Sequence, residues 1–180
     1  MKLLLAIIGV AALCFAATES RVSRATILAV EKSINDKLSE RSGDPMDLIG
    51  RARGTYLEGY GALFTDELDL IYAGPLNVSP FKPTISPEEK ATTRERKAKN
   101  LIGLKEAMRN LMVNASGTLE GLPPNERVAM ETILFYYSWE ESRGLPRRIF
   151  MSAEKQKLLD AKAAHAGQTD LAAIIEEQER

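Results

Sequence analysis

The chain has 180 residues and near-balanced charge, with 24 lysines and arginines against 25 aspartates and glutamates. This length allows one domain with a hydrophobic core, and the charge balance gives no indication of a nucleic-acid or acidic partner. The chain holds one histidine and one cysteine, which excludes the usual zinc, copper and iron–sulfur ligand sets.

The first 17 residues have the pattern of a secretory signal peptide. Lys2 supplies the positive charge, residues 3–15 form the apolar segment, and small residues follow at Ala16 and Ala17. The apolar segment is too short for a comfortable transmembrane span. We therefore predict cleavage after Ala16 or Ala17, and no membrane span once the leader is removed.

The remaining residues, 18–180, are predicted to form a single compact domain without cysteine. Cys14 does not indicate a lipoprotein, because Leu13 stands where a lipobox requires a small residue. An exported protein without disulfides must rely on its core, which favours a bacterial origin over a small eukaryotic secreted scaffold. The expected location is periplasmic or extracellular.

The first element of the domain is a predicted helix from Ser20 to about Arg41. Apolar residues recur at helical spacing, and Gly43 and Pro45 end the pattern. The stripe consists of Ile27, Val30, Ile34 and Leu38. A helix that packs on a sheet is favoured, because the stripe needs a surface to bury against; an interaction arm is the alternative.

Residues 49–72 are predicted to form a β-hairpin closed by the loop Gly59-Tyr60-Gly61, with Gly61 at positive φ. This register places Arg53 opposite Glu67 and Arg51 opposite Asp69, so that opposite charges meet across the strands. Asp66 falls on the apolar face, which predicts either a bulge or a partner for its carboxylate.

A Pro-containing connector, 73–86, leads to a second predicted helix that runs to about Ala115. Ser86, Pro87 and Glu89 form a strong helix start with a capping box. The predicted core stripe is Leu101, Leu104, Met108, Leu111 and Met112. The basic residues of the first half indicate an exposed face, or alternatively a surface for lipid or nucleic acid; they are Lys90, Arg94, Arg96, Lys97 and Lys99.

The last third of the chain predicts two more strands and two short helices. The run 127–139 is apolar on both faces, as in a central strand, and 147–151 is a shorter strand. Helices are expected from Ser152 to about His165 and again from Thr169. The predicted fold class is therefore α+β, with a four-stranded, mainly antiparallel sheet and packed helices.

Most of the mature chain resembles a group of secreted bacterial proteins of unknown function. The resemblance rests on the run from Ala52 to Gly61, the Leu-rich second helix, and the loop from Leu119 to Pro123 with the strand that follows. It implies export and one compact domain. It assigns no functional residue, because the group has no established activity.

The candidate binding residues form a charged set on one predicted sheet face, with Thr55 among them. They are Arg51, Arg53, Glu67, Asp69 and, from an adjacent strand, Glu131. Carboxylates among arginines can hold a polar ligand or serve as acid and base. The favoured alternative is a ladder of cross-strand ion pairs facing water, each worth well under about 1 kcal/mol.

No catalytic, metal-binding or cofactor motif was found. His165 sits near a predicted helix end, no serine has a histidine at a motif spacing, and Gly59-Tyr60-Gly61 is followed by a strand rather than a helix. We therefore predict a non-catalytic exported module that binds a protein or envelope component, with no nucleic-acid partner.

Two alternatives to the binding module stay open at this point. The first is a carrier of a small ligand or lipid, with a pocket between sheet and helices lined by Tyr56, Phe64, Phe135 and Tyr137. The second is an enzyme that uses the charged sheet face.

Overall fold

The structure is a computed structural model that describes residues 22–40, 45–72 and 85–180. The leader, 1–17, and most of the connector, 73–86, lie outside these residues, so the predictions about them stay predictions. The described helices are α1 (Arg24–Leu38), α2 (Pro87–Thr118), α3 (Lys155–Ala163) and α4 (Gln168–Ile174), and the strands are β1 (Asp47–Leu57), β2 (Gly61–Asp69), β3 (Arg127–Leu134), β4 (Arg148–Glu154) and β5 (Glu176–Glu179).

The five strands form one mixed sheet in the order β1-β2-β3-β4-β5. Three neighbouring pairs are antiparallel, and β2 pairs with β3 in parallel. A parallel neighbour needs a crossover connection, and here α2 lies in that connection. The α+β class is thus confirmed, but the predicted strand count of four is wrong by one.

The missed strand is β5, and its composition explains the error. Its four residues are Glu-Glu-Gln-Glu, which carry none of the β-branched or aromatic residues that mark strands in a sequence. Strand β3 is also shorter than predicted, because it ends at Leu134. The aromatic alternation continues beyond it, where Phe135 meets Tyr137 edge to face and Tyr137 stacks on Trp139.

The helices pack on one face of the sheet, where a single apolar core forms. Strands β2 and β3 send their even-numbered residues into this core, and β4 sends its odd-numbered residues. All four predicted stripe residues of α1 are buried, and so are Leu104, Met108, Leu111 and Met112 of α2. The opposite face, which no described helix covers, is called the open face below.

The hairpin loop lies one residue earlier than predicted, so the predicted pairs are wrong. Glu58, Gly59 and Tyr60 form the loop, and Leu57 pairs with Gly61. Gly59 has a φ of 78°, and Gly61 has the predicted positive φ, at 138°. Arg53 consequently lies opposite Thr65. Register irregularities between Leu48 and Arg53 then place Gly50 opposite Glu67 and Asp47 opposite Asp69.

Helix α1 closes the free edge of strand β1 with its side chains. Glu31 Oε1 accepts a hydrogen bond from the Gly54 amide, and Asn35 Oδ1 accepts one from the Ala52 amide, both at 2.8 Å. Arg24 donates to the Gly54 carbonyl at 3.2 Å and to Glu31 at 2.9 Å. Unpaired edge groups invite pairing with another chain, and these contacts occupy them. The favoured placement of this helix against the sheet is therefore confirmed.

Gly61 is required by the close approach of strand β3. A Cβ atom at this position would lie 1.9 Å from the Arg127 carbonyl oxygen, and the residue has a φ of 138°. We expect Gly61→Ala to lower the free energy of unfolding by at least about 2 kcal/mol, because both the contact and the backbone conformation are lost. Urea denaturation measures this change.

Gly103→Ala is the matched control. Gly103 is an exposed residue of α2 with open space where the Cβ would be, so alanine should stabilise the helix by about 0.5–1 kcal/mol. Equal effects of the two substitutions would contradict the packing argument at Gly61.

Candidate functional site

The structure brings three of the five predicted binding residues to the open face: Arg53 is exposed on β1, and Glu67 and Glu131 are partly exposed on β2 and β3. Arg51 is exposed in the irregular stretch of β1, next to Gly50, which is the residue that shares the face of Glu67. Asp69 is buried at the end of β2. The predicted ladder of cross-strand ion pairs is therefore not formed, because the register separates its partners.

Asp69 instead belongs to a buried ionic cluster around Lys97 of α2. The Lys97 ammonium lies 2.8 Å from Asp69 Oδ1 and 2.5 Å from Glu140 Oε2, and it donates to the Phe135 carbonyl at 3.2 Å. It also lies 4.7 Å from the ring centre of Tyr136, a cation–π distance. One lysine thus joins α2, the end of β2 and the segment after β3.

Burial dominates the electrostatics of this cluster. It raises the pKa of Glu140, although the nearby Lys97 ammonium opposes the shift. It also raises the pKa of the Tyr136 phenol to about 12, with Glu140 and Asp69 adding to the effect. The side chains of Lys97, Asp69 and Glu140 are only 2–5% exposed, so a substrate has no access. The cluster is a structural junction.

Helix α2 keeps four of the five basic residues of its first half exposed or partly exposed, as predicted, and withdraws Lys97 into the interior. The Arg94 guanidinium donates to the Arg143 carbonyl at 3.0 and 3.3 Å. Lys97 and Arg94 thus both contact other segments of the protein. The prediction of an exposed helix face is wrong for Lys97, because its charge pairs with carboxylates far away in the sequence.

The open face carries a second charged group, which sequence reasoning found only in part. Arg148 Nε lies 3.3 Å from Glu131 Oε1, and Arg127 lies 2.8 Å from Glu176 and donates to the Ser152 hydroxyl at 2.8 Å. Glu131 was a candidate, whereas Arg148 and the residues of β5 were not. Their role depends on a strand that has no signal in the sequence.

Apolar side chains also lie on the open face, between these charges. Leu57 is 46% exposed, and Leu63, Ile133 and Phe150 are partly exposed. Mixed charged and apolar side chains are typical of surfaces that bind other proteins.

The aromatic pocket predicted for a carrier is not formed by the four named residues. Phe64 is buried in the core. Tyr56 pairs with Ala62, near the start of β2. Leu134, the residue before Phe135, pairs with Leu68, near the end of β2. At the usual rise along a strand, Tyr56 and Phe135 are about 23 Å apart. They lie at opposite ends of the sheet and cannot line one small cavity.

Asp66 is an isolated carboxyl group on the core face of β2. It is 3% exposed, accepts a hydrogen bond from the Thr132 hydroxyl at 3.3 Å, and leaves Oδ1 without a partner in the described part of the chain. Burial raises its pKa to about 7, and the Thr132 bond opposes the shift. The predicted bulge and the predicted partner are both present, since Asp66 lies opposite the irregular stretch of β1.

The described residues contain no group of three His, Cys, Asp or Glu side chains that could hold a metal ion. None of the described helices is both long enough and apolar enough to span a bilayer. His165 is exposed, with a φ of 51° just past the end of α3.

Comparison of the chain with protein-family models, with curated proteins and with solved structures gives no match. The resemblance to secreted bacterial proteins therefore stays a prediction.

The ionic cluster predicts that Lys97→Met destabilises the protein by about 3–5 kcal/mol, because Asp69 and Glu140 are left as buried charges without a partner. Lys99→Met, an exposed position on the same helix, should change stability by less than about 0.5 kcal/mol. Urea denaturation of both variants tests this. A small effect of Lys97→Met would show that the cluster does not hold the three segments together.

Asp66 predicts a pH dependence of stability. Its pKa of about 7 in the folded protein exceeds its unfolded value, so the folded state binds more protons between about pH 4 and 7. The contribution of Asp66 to the free energy of unfolding is fully present at low pH. It is lost as pH rises, by up to about 4 kcal/mol at pH 8. Asp66→Asn should remove that component, while exposed Asp36→Asn should keep it. Urea denaturation of both variants at pH 5 and pH 8 measures the difference. An unchanged pH profile in Asp66→Asn would contradict the assignment of the pH dependence to Asp66.

Proposed function

We propose that the protein is a non-catalytic exported module that binds a protein or another envelope component through its open face. The observation that carries the proposal is the one-sided architecture. Every described helix packs on one face of the sheet, and the other face presents charged and apolar side chains to solvent. A sheet face of this kind normally needs either a polar surface or a cover.

The charges on the open face support binding of a partner. Arg53 projects from the edge strand, opposite Thr65, and forms no ion pair within residues 22–40, 45–72 and 85–180. The exposed Leu57 lies on the same strand. Arginine beside an exposed aliphatic group is a common composition at protein interfaces, where it contributes affinity out of proportion to its area.

The arrangement of carboxylates supports a role without catalysis. Asp69 is withdrawn into the core, and Glu131 is paired with Arg148. Glu67 lies beside Gly50 rather than beside an arginine. The enzyme alternative relied on carboxylates held among the arginines of β1 as acid and base, and the strand register does not assemble that set.

The test is an affinity capture from native bacterial envelope extract with the chain beginning at Thr18. We expect a stoichiometric partner that the charge-swapped variant Arg53→Glu/Glu67→Arg no longer binds, because both substitutions reverse charge on the open face. The bound fraction is measured by quantitative mass spectrometry, and equal melting temperatures show that the variant is folded.

The matched control is Lys32→Glu/Asp36→Lys, which swaps an exposed ion pair on α1 with side chains 77% and 63% exposed. This variant should retain the partner. Equal capture by all three proteins would place binding elsewhere, and capture of nothing by the unaltered chain would count against the binding module itself.

A further inference from the structure

A concave site lies at the β3–β5 end of the open face. The cleft has a volume of about 210 Å³ and is lined by Glu131, Arg148, Phe150, Gln178 and Arg180. Glu131, Phe150 and Gln178 form one row across the three strands. Arg148 and Arg180 belong to the next row, so two guanidinium groups lie beside the Phe150 ring.

The two arginines are held directly opposite each other by the backbone. The Arg180 amide donates to the Arg148 carbonyl at 3.1 Å, and the Arg148 amide donates to the Arg180 carbonyl at 3.0 Å. In an antiparallel pair this reciprocal exchange brings the two residues face to face, with Cβ atoms about 5 Å apart. Like charges in this position are unfavourable, and an anion between them would relieve the repulsion.

The polar partners in the cleft leave donors free for such an anion. Glu131 lies 3.3 Å from Nε of Arg148, and the two terminal nitrogens of that guanidinium have no partner in the described chain. Arg180 donates only a long hydrogen bond, 3.4 Å, to the Gln178 side chain. Two guanidinium groups and one carboxylate leave a single positive charge in excess among these side chains.

We propose that this cleft binds one carboxylate on a short apolar stem, supplied by an acidic side chain of the protein partner. The carboxylate lies between Arg148 and Arg180, where charge-assisted hydrogen bonds are strongest, and the stem rests on the Phe150 ring. A monoanionic carboxylate suits the cleft better than a phosphate dianion, which Glu131 would repel more strongly. This inference rests on the proposed function and specifies the partner's chemistry.

The test uses the full chain and N-acetyl-L-glutamic acid α-amide as the probe, with the neutral N-acetyl-L-glutamine α-amide as its isosteric control. We expect the acidic probe to shift the backbone amide NMR signals of Phe150 and Gln178, while the neutral probe leaves them unchanged. Arg148→Gln/Arg180→Gln should weaken the acidic probe at least tenfold. Lys32→Gln, which removes an exposed positive charge on α1 outside the open face, should bind it as the unaltered protein does.

Two results would overturn the inference. The first is equal binding of both probes, or of the acidic probe by both variants. The second is a partner that Arg53→Glu/Glu67→Arg loses but Arg148→Gln/Arg180→Gln retains, which leaves the binding module standing without this cleft. Failure of the proposed binding module gives a different result. In that case the unaltered chain captures no partner, whatever the outcome of the probe titration.

Discussion

The parallel pairing of β2 with β3 determines where the other elements of the structure can lie. Two parallel neighbours cannot be joined by a tight turn. Residues 70–126 therefore connect the end of β2 to the start of β3. Helix α2 is part of that crossing and lies on the core face. At one end of the pair the backbones meet closely at Gly61 and Arg127. At the other end Lys97 neutralises carboxylates from both sides of the crossing.

This pairing also explains the one-sided shape of the domain. Helix α2 and both C-terminal helices lie on the same face, and α1 fits into the remaining space beside β1. The core is therefore complete without any cover on the other side. Ion pairs such as Arg148–Glu131 and Arg127–Glu176 keep the open face solvated, whereas Leu57 and Phe150 keep part of it apolar.

Local patterns in the sequence predicted most of the helices and failed on the pairing of strands. The stripe of α1 and the capping box at Ser86 and Glu89 were both found from spacing alone, and both are present. The hairpin was placed correctly, but its register shifted because the loop is centred on Gly59 and the edge strand is irregular. Charge complementarity across the strands favoured the wrong register, since exposed ion pairs contribute too little to select one.

The candidate site was recoverable from the sequence only where it depended on strand alternation. Arg53, Glu67 and Glu131 reached the open face because period-two alternation survives a register shift of two residues, whereas the irregular stretch of β1 breaks the alternation at Arg51. Asp69 did not reach it, because its partner Lys97 lies on a helix 28 residues further along the chain, and no local pattern links them. The cleft at Arg148 and Arg180 depends on β5, whose sequence has no strand signal.

The side chains of α1 that cap β1 also determine when the free edge of β1 can be covered. Helix α1 precedes β1 in the chain, so during synthesis the capping residues emerge before the edge that they cover. Glu31 and Asn35 are thus available as soon as Ala52 and Gly54 appear. The free edge of β1 can therefore be covered as soon as it forms. A chain that emerges among identical copies then has less opportunity to pair with them.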